Sequence, residues 1–244
     1  MPSIVFDIVG TLISYENCIA EIEKQLGDRF KADNINLSLF FFFWLAGAER
    51  DYSYLSQSNN YQPFSKIMEY TFYRSLFFAG IKTPRHYCSQ DEVNEIIKIG
   101  FFNLRARKQT EETLKLLAEY GFTTYFLTDA SSERVLNYFK KSGIEISSEN
   151  LISCDSIDAG KPEAIVYQTM SKRLPDKHKN DKWFFAAHMW DSCAARQGDF
   201  RTAWSAIHEF EPCTEIFGEP DVLGDGLLDT ARKVIAMHKT LLEK

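Results

Sequence analysis

With 244 residues, 45% of them hydrophobic, the chain can build one large soluble domain or a core that carries an insertion. Its formal net charge of −6, with Lys and Arg scattered rather than clustered, excludes the basic footprint of a nucleic-acid binder. Leu37 to Ala46, the longest apolar stretch, falls short of the roughly 20 residues a membrane-spanning helix needs. The first predicted element is a strand over Ser3 to Asp7: Val5 and Phe6 have the bulk for a buried parallel strand, and Gly10 permits a tight turn. Asp7 therefore falls at a strand's carboxyl end, where open α/β sheets place their ligands.

From about residue 16 to 98 the pattern is amphipathic helices, joined by polar loops at Ser56 to Asn60 and Lys82 to Arg85. This stretch holds Phe40-Phe-Phe-Phe-Trp44, a consecutive run that cannot face one way on a helix, so some rings pack inside a bundle and others point away from it. Beyond Gln109, strand and helix alternate: a helix from Thr110 closed by Gly121, a strand over Phe122 to Leu127 and a helix from Ser131 to Lys141. A short strand at Leu151 to Cys154, a helix from Ala164 to Arg173 and a strand ending near Asp191 follow. Phe200 to Trp204 reads as the final strand and Asp225 to Leu242 as a closing amphipathic helix. The fold class is α/β, a parallel-sheet Rossmann-like core over 1–15 and 99–244 with an inserted helical cap over 16–98.

Four segments each offer polar groups at a strand end or helix start: Asp7 and Thr11, Thr128 and Asp129, Lys161 before Pro162, and His188 to Asp191. On neighbouring strands these would converge on one crevice. In this order and spacing they resemble the motifs of the haloacid dehalogenase superfamily, and Trp190-Asp191 with Tyr167 after Lys161-Pro162 is similar to its 2-haloacid dehalogenase branch. The resemblance covers nearly the whole chain. It implies that Asp7 is the nucleophile, that Thr11 and Thr128 position the carboxylate or the substrate, that Lys161 balances charge and that Asp191 is the fourth-motif acid. Val9, Asp129, Phe43, Trp44, Arg50, Tyr167 and Trp190 are the expected substrate-binding positions.

The chain also departs from that family's pattern. Phosphoryl-transferring members carry a second aspartate two residues after the nucleophile, where this chain has Val9, and Ala187 stands where a second magnesium-binding acid would be expected. The dehalogenase branch carries a cap arginine at the position of Ala46, with Arg50 one helical turn further on, and a serine and asparagine at the positions of Ala186 and His188. His188 reads either as a general base near neutral pH or as a hydrogen-bonded histidine at a strand end. Asp129, in place of an asparagine, adds an acid near the crevice; carboxylates sharing a dry pocket push at least one pKa upward.

These departures lead to the expectation of an enzyme that uses Asp7 on a small apolar organic substrate without net hydrolysis. An isomerisation such as epoxide rearrangement in secondary metabolism, known from fungal proteins that resemble the family, is one such activity. Hydrolytic 2-haloacid dehalogenation with Arg50 in the arginine role is the enzymatic alternative, and a catalytically silent binding protein the non-enzymatic one. No cofactor, metal, nucleic acid or membrane is expected as a partner, and a homodimer is compatible with the reading. Cys18, Cys88, Cys154, Cys193 and Cys213, an odd number without zinc-site spacing, fit reduced thiols. With a start that runs straight into the first strand, they point to a cytoplasmic protein.

Overall fold

The computed structural model describes residues 1–175 and 178–243. It divides into two compact units, Met1–Ile13 with Ala106–Lys244, and Ser14–Arg105. The chain opens with β1 (Ser3–Asp7) and a short β2 (Ile13–Ser14).

The second unit is helical between Tyr15 and Leu104, with α1 (Glu16–Ala32), α2 (Leu37–Gln57), α3 (Phe64–Phe78), α4 (Pro84–Tyr87) and α5 (Gln90–Glu95). It runs past residue 98 because Ile96–Gly100 continues as a π-helical turn and Phe101–Asn103 as a 3₁₀ turn, with Ile96, Ile97 and Phe101 buried. The Asn36 side chain caps α2 by accepting the Leu39 amide, and Ser89 and Glu92 close a capping box on α5. Along α2 the buried residues Phe40, Phe41, Trp44, Leu45, Ala48, Tyr52 and Ser56 recur at helical spacing. Phe42 and Phe43, out of phase with that stripe, stay 42% and 43% exposed.

The first unit resumes with β3 (Arg105–Ala106), which pairs with β2, then α6 (Thr110–Glu119), β4 (Thr123–Thr128), α7 (Ser132–Lys141) and β5 (Leu151–Ser153). It continues with α8 (Ala164–Arg173), β6 (Lys182–Ala186), α9 (Met189–Ala195), β7 (Arg201–Ser205), α10 (Thr214–Phe217), β8 (Val222–Gly224) and α11 (Leu227–Leu242). Six strands make a Rossmann-like parallel sheet in the order β5-β4-β1-β6-β7-β8. Every residue of β1 and β6 is buried, as parallel strands covered by helices require. Phe6 and Phe185 stack across the two strands with ring centroids 4.8 Å apart, each such burial contributing roughly 1.5–3 kcal/mol. Helices cover the sheet with single apolar stripes: Val135, Tyr138 and Phe139 on α7, Val166, Tyr167 and Met170 on α8, and Leu227, Leu228, Ala231, Val234 and Ile235 on α11.

The strand over Phe200 to Trp204 is not the last one, because β8 follows it at the sheet edge. Three residues after Pro220 are too few to show an alternation. Gly224 ends β8 where a Cβ would come within 2.2 Å of the Thr230 hydroxyl, so the strand joins α11 by a close approach only glycine allows.

This topology fixes where a ligand belongs. The chain lays β4 and β5 on one side of β1 and then returns to lay β6, β7 and β8 on the other, so the order reverses at β1. Asp7, the last residue of β1, stands at that reversal point, where open α/β sheets generally bind their ligands.

Candidate active site

Past Asp7 the chain turns sharply. Gly10 adopts φ +93, its amide donates to Ile13 O, and the Leu12 amide reaches back to Ile8 O. The turn brings Thr11 alongside Asp7, and the Thr11 hydroxyl donates to Asp7 Oδ2 at 2.6 Å. The same hydroxyl accepts the Ala187 amide at 2.8 Å, so the end of β6 is tied to Asp7 through one oxygen. The Ala187 carbonyl is held in turn by the Trp204 indole at 3.2 Å.

Lys161 is fully buried, and its ammonium donates to Asp7 Oδ1 and to Asp191 Oδ2, both at 2.8 Å. Asp191 Oδ1 accepts the Tyr167 hydroxyl at 2.5 Å. The Lys161 backbone amide donates to Asp129 Oδ1 at 3.2 Å, which fastens the loop bearing the lysine to the end of β4. His188 Nδ1 lies 3.2 Å from Asp7 Oδ2. Asp7, Thr11, Lys161, Tyr167, His188 and Asp191 thus form one buried hydrogen-bonded cluster within a single unit.

Electrostatics separate the two carboxylates. Burial pushes Asp7 up, but the Lys161 charge, the His188 hydrogen bond and charge and the Lys161 hydrogen bond outweigh it, holding Asp7 well below the usual carboxylate range. Burial pushes Asp191 up to about 6, against the Lys161 charge and reinforced by the Asp7 charge. For Lys161, burial works downward, but the charges of Asp191, Asp7 and Asp129 leave it well above its ordinary value, a permanent cation between two acids. Burial and the neighbouring Asp191 raise Tyr167, which keeps its phenol as a donor. An ionised carboxylate only accepts hydrogen bonds, so Asp7 assigns the proton on the facing His188 nitrogen to Nδ1.

The other expected site residues take different places. The Thr128 hydroxyl accepts the Ala130 amide at 3.1 Å, capping the turn after β4. Asp129 and Val9 are half-buried, as is Trp190, whose ring lies 5.5 Å from His188. In the helical unit, Trp44 is buried within the bundle, its indole donating to Met68 O at 2.9 Å and packing edge-on against Phe72. Phe43 packs on Phe78, and exposed Arg50 pairs with Asp51, which also holds Arg74.

Three further residues lie near the site. His208 packs edge-on against His188 with ring centroids 4.7 Å apart, and Glu209 accepts the Met189 amide at 2.7 Å. Their signal was present: Ile207-His-Glu209 follows a predicted strand, as the four recognised segments do. Arg107 donates from Nε and Nη2 to Gly10 O at 3.2 and 2.9 Å, placing a cation at the Asp7 turn; nothing in its neighbourhood of the sequence announces that.

The donor set does not fit magnesium. The Lys161 ammonium stands between Asp7 and Asp191, and Val9 and Ala187 offer hydrocarbon where oxygen ligands would be required. Among the described residues no group of three or more His, Cys, Asp or Glu is placed to hold a metal ion, and no helix is long and apolar enough to cross a membrane. All five cysteines are free.

Comparison with known proteins agrees with this geometry. The chain is 23% identical over 217 residues to haloacetate dehalogenase H-2 of Moraxella sp. (strain B), covering 84% of this chain and 85% of that protein. It is 22% identical over 201 residues to the (S)-2-haloacid dehalogenase of Pseudomonas fluorescens, covering 82% of each. In fold it matches the L-2-haloacid dehalogenase of Xanthobacter autotrophicus with chloropropionic acid covalently bound, at a TM-score of 0.79 and 16% identity, over 97% of this chain and 99% of that one. The family model of the haloacid dehalogenase-like hydrolases matches residues 1–183, more than half of the chain, and the chain belongs to that family.

Proposed function

We propose that the protein is a hydrolytic dehalogenase acting on a short 2-haloacid through a covalent ester on Asp7. The carrying observation is the state of Asp7, an ionised carboxylate whose Oδ2 accepts from Thr11 and faces His188 Nδ1–H while Oδ1 accepts from Lys161. A carboxylate held so far below its ordinary pKa is a poor proton abstractor at neutral pH, since a general base works best with a pKa near the operating pH. It remains fully ionised for attack on carbon.

In the first step Asp7 Oδ1 forms a bond to the halogen-bearing carbon, and the halide leaves with the bonding pair. Oδ2 then becomes the carbonyl oxygen of an ester. In the second step water adds to that carbonyl carbon, and the negative charge that develops on Oδ2 meets the Thr11 hydroxyl and His188 Nδ1–H already aimed at it. Collapse releases the hydroxy acid with the former Oδ1, which takes one proton of the attacking water while the other passes to solvent, and the water oxygen replaces Oδ1 in the regenerated Asp7 carboxylate. Lys161 offsets the charge of Asp7 and Asp191 throughout.

The non-hydrolytic isomerisation anticipated from Ala46, Ala186 and His188 has no counterpart in the relatives named above, all of which bear dehalogenase names. The low basicity of Asp7 weighs against it for any route that begins by removing a proton. Within the unit that holds Asp7, Arg107 at the Asp7 turn is the candidate for the substrate carboxylate.

The test is incubation with 2-chloropropionate in ¹⁸O-labelled water. Halide release, label in the Asp7 carboxylate after a single turnover and label in the product after many turnovers support the reading, as does complete loss of halide release in Asp7→Asn. Absence of both halide and label across a series of short 2-haloacids overturns it.

A further inference from the structure

The loop after β7 grips the His188 segment at two points. The Glu209 carboxylate accepts the amide of Met189, the residue that opens α9, and the His208 ring lies edge-on to the His188 ring at 4.7 Å and 64°. That loop is itself anchored, since the Ala206 amide donates to Gly224 O at the end of β8 and the Phe210 amide returns to Ala206 O. On its other side His188 meets Asp7 Oδ2. The imidazole is therefore held between a carboxylate and a second imidazole, with its own backbone tied down by Ala187 on one side and Met189 on the other.

We propose that His208 is a positioning residue: its ring holds the His188 imidazole in the orientation that aims Nδ1–H at Asp7 Oδ2, so that a histidine pair carries the second donor on that oxygen. The proposal deepens the ester-hydrolysis reading, on which its kinetic part rests, while its structural part concerns the resting enzyme alone.

Two physical points support a packing role for His208. Burial pushes its pKa down to about 3, with His188 and Arg107 acting the same way against the Asp7 charge, so at neutral pH His208 itself carries no charge. His188 faces, among others, Asp7 at the end of β1, with Lys161 behind it, Trp190 in the helix that His188 precedes, and His208 and Glu209 from the loop after β7. Of these, His208 is the ring in edge-on contact, and an edge-on ring restricts rotation of the imidazole without competing for Nδ1–H.

The consequence falls on one half of the reaction. Ester formation uses Oδ1, whereas ester hydrolysis builds charge on Oδ2, so a loosened His188 slows the second step more than the first. His208→Ala and His208→Phe separate packing from polarity, because the phenyl ring restores an edge-on neighbour with no nitrogen. In His208→Ala, halide release in the first turnover stays within a few-fold of the parent. Steady-state turnover falls by about ten- to hundredfold, the effect of displacing an oxyanion donor without deleting it. Intact mass then shows the ester accumulating on the protein, and His208→Phe regains most of the loss.

The second measurement needs no substrate. Long-range ¹H–¹⁵N correlation on histidine-labelled protein reports the tautomer of His188, which is Nδ1–H in the parent and in His208→Phe and becomes a mixture in His208→Ala. Should the parent form no ester with any 2-haloacid, the function reading falls while the tautomer measurement still decides the role of His208. An unchanged His188 tautomer in a folded His208→Ala overturns the proposal. So does a His208→Phe variant as impaired as His208→Ala.

Discussion

The Thr11 hydroxyl donates to Asp7 Oδ2 at 2.6 Å while accepting the Ala187 amide at 2.8 Å, so its one proton is committed to the carboxylate. A hydroxyl whose acceptor side is filled by an amide has no choice of direction, and that is what makes Thr11 an orienting group and not a spectator. Thr11→Val keeps the shape and deletes both bonds, leaving a buried amide without its acceptor at a cost of about 1–3 kcal/mol. Turnover falls by roughly 100-fold through loss of one donor to the developing oxyanion. Thr11→Ser restores most of both. Chemical denaturation and halide-release kinetics on the three proteins check this, and a Thr11→Val enzyme as active as its parent refutes the assignment.

Lys161 is the group on which the cluster depends most. Its removal leaves Asp7 and Asp191 buried side by side without their shared cation. Breaking a buried ion pair by deleting one partner costs about 3–5 kcal/mol, so Lys161→Met destabilises by that amount and abolishes turnover. Adding Asp191→Asn removes one of the stranded charges, and the double variant is more stable than Lys161→Met alone. Urea denaturation of the four proteins closes the cycle; strictly additive effects would deny the coupling.

Much of this was legible because the carboxyl ends of parallel strands are where chain direction, burial and chemistry coincide. Ser3 to Asp7 announces itself by bulk and by the glycine that follows, whereas Lys161, before a proline that can start a helix, and Asp191, near a strand end, gain their roles from a resemblance in motif order and spacing. β8 is not legible in the sequence because three residues carry no period, and its place at the sheet edge is decided by the close approach of Gly224 to Thr230. Trp44 shows the opposite limit: its sequence neighbours mark it as one of an aromatic run, but only helical phase and a carbonyl at Met68 decide that its indole is spent inside the bundle. His208 and Glu209 followed a strand that had been recognised, and their partners His188 and Met189 lie twenty residues earlier, a pairing that sequence order does not state.

The two acids of the cluster make opposite demands on pH, and the variant Asp191→Asn separates them. Asp7 titrates lower in the native protein than in the unfolded chain, so its stabilising contribution is present above its ordinary value of 3.8 and is lost as pH falls below it. Asp191 titrates higher in the native protein, at about 6 against 3.8, so within that window the native state binds more protons than the unfolded state at this residue. Stability contributed by Asp191 therefore falls as pH rises through the window and is level above it. Replacing Asp191 with Asn removes this term and leaves the Asp7 term with its sign unchanged. Subtracting the stability of the parent from that of the variant at each pH consequently gives a difference that rises in favour of the variant, by about 1–3 kcal/mol from the acid to the neutral side of the window. Lys161, protonated throughout, adds an offset and no slope. Urea denaturation midpoints across the range measure the difference directly. A flat or falling difference would mean that Asp191 is ionised in the native protein as readily as in the unfolded chain, and that Tyr167 and Lys161 together hold its charge without cost.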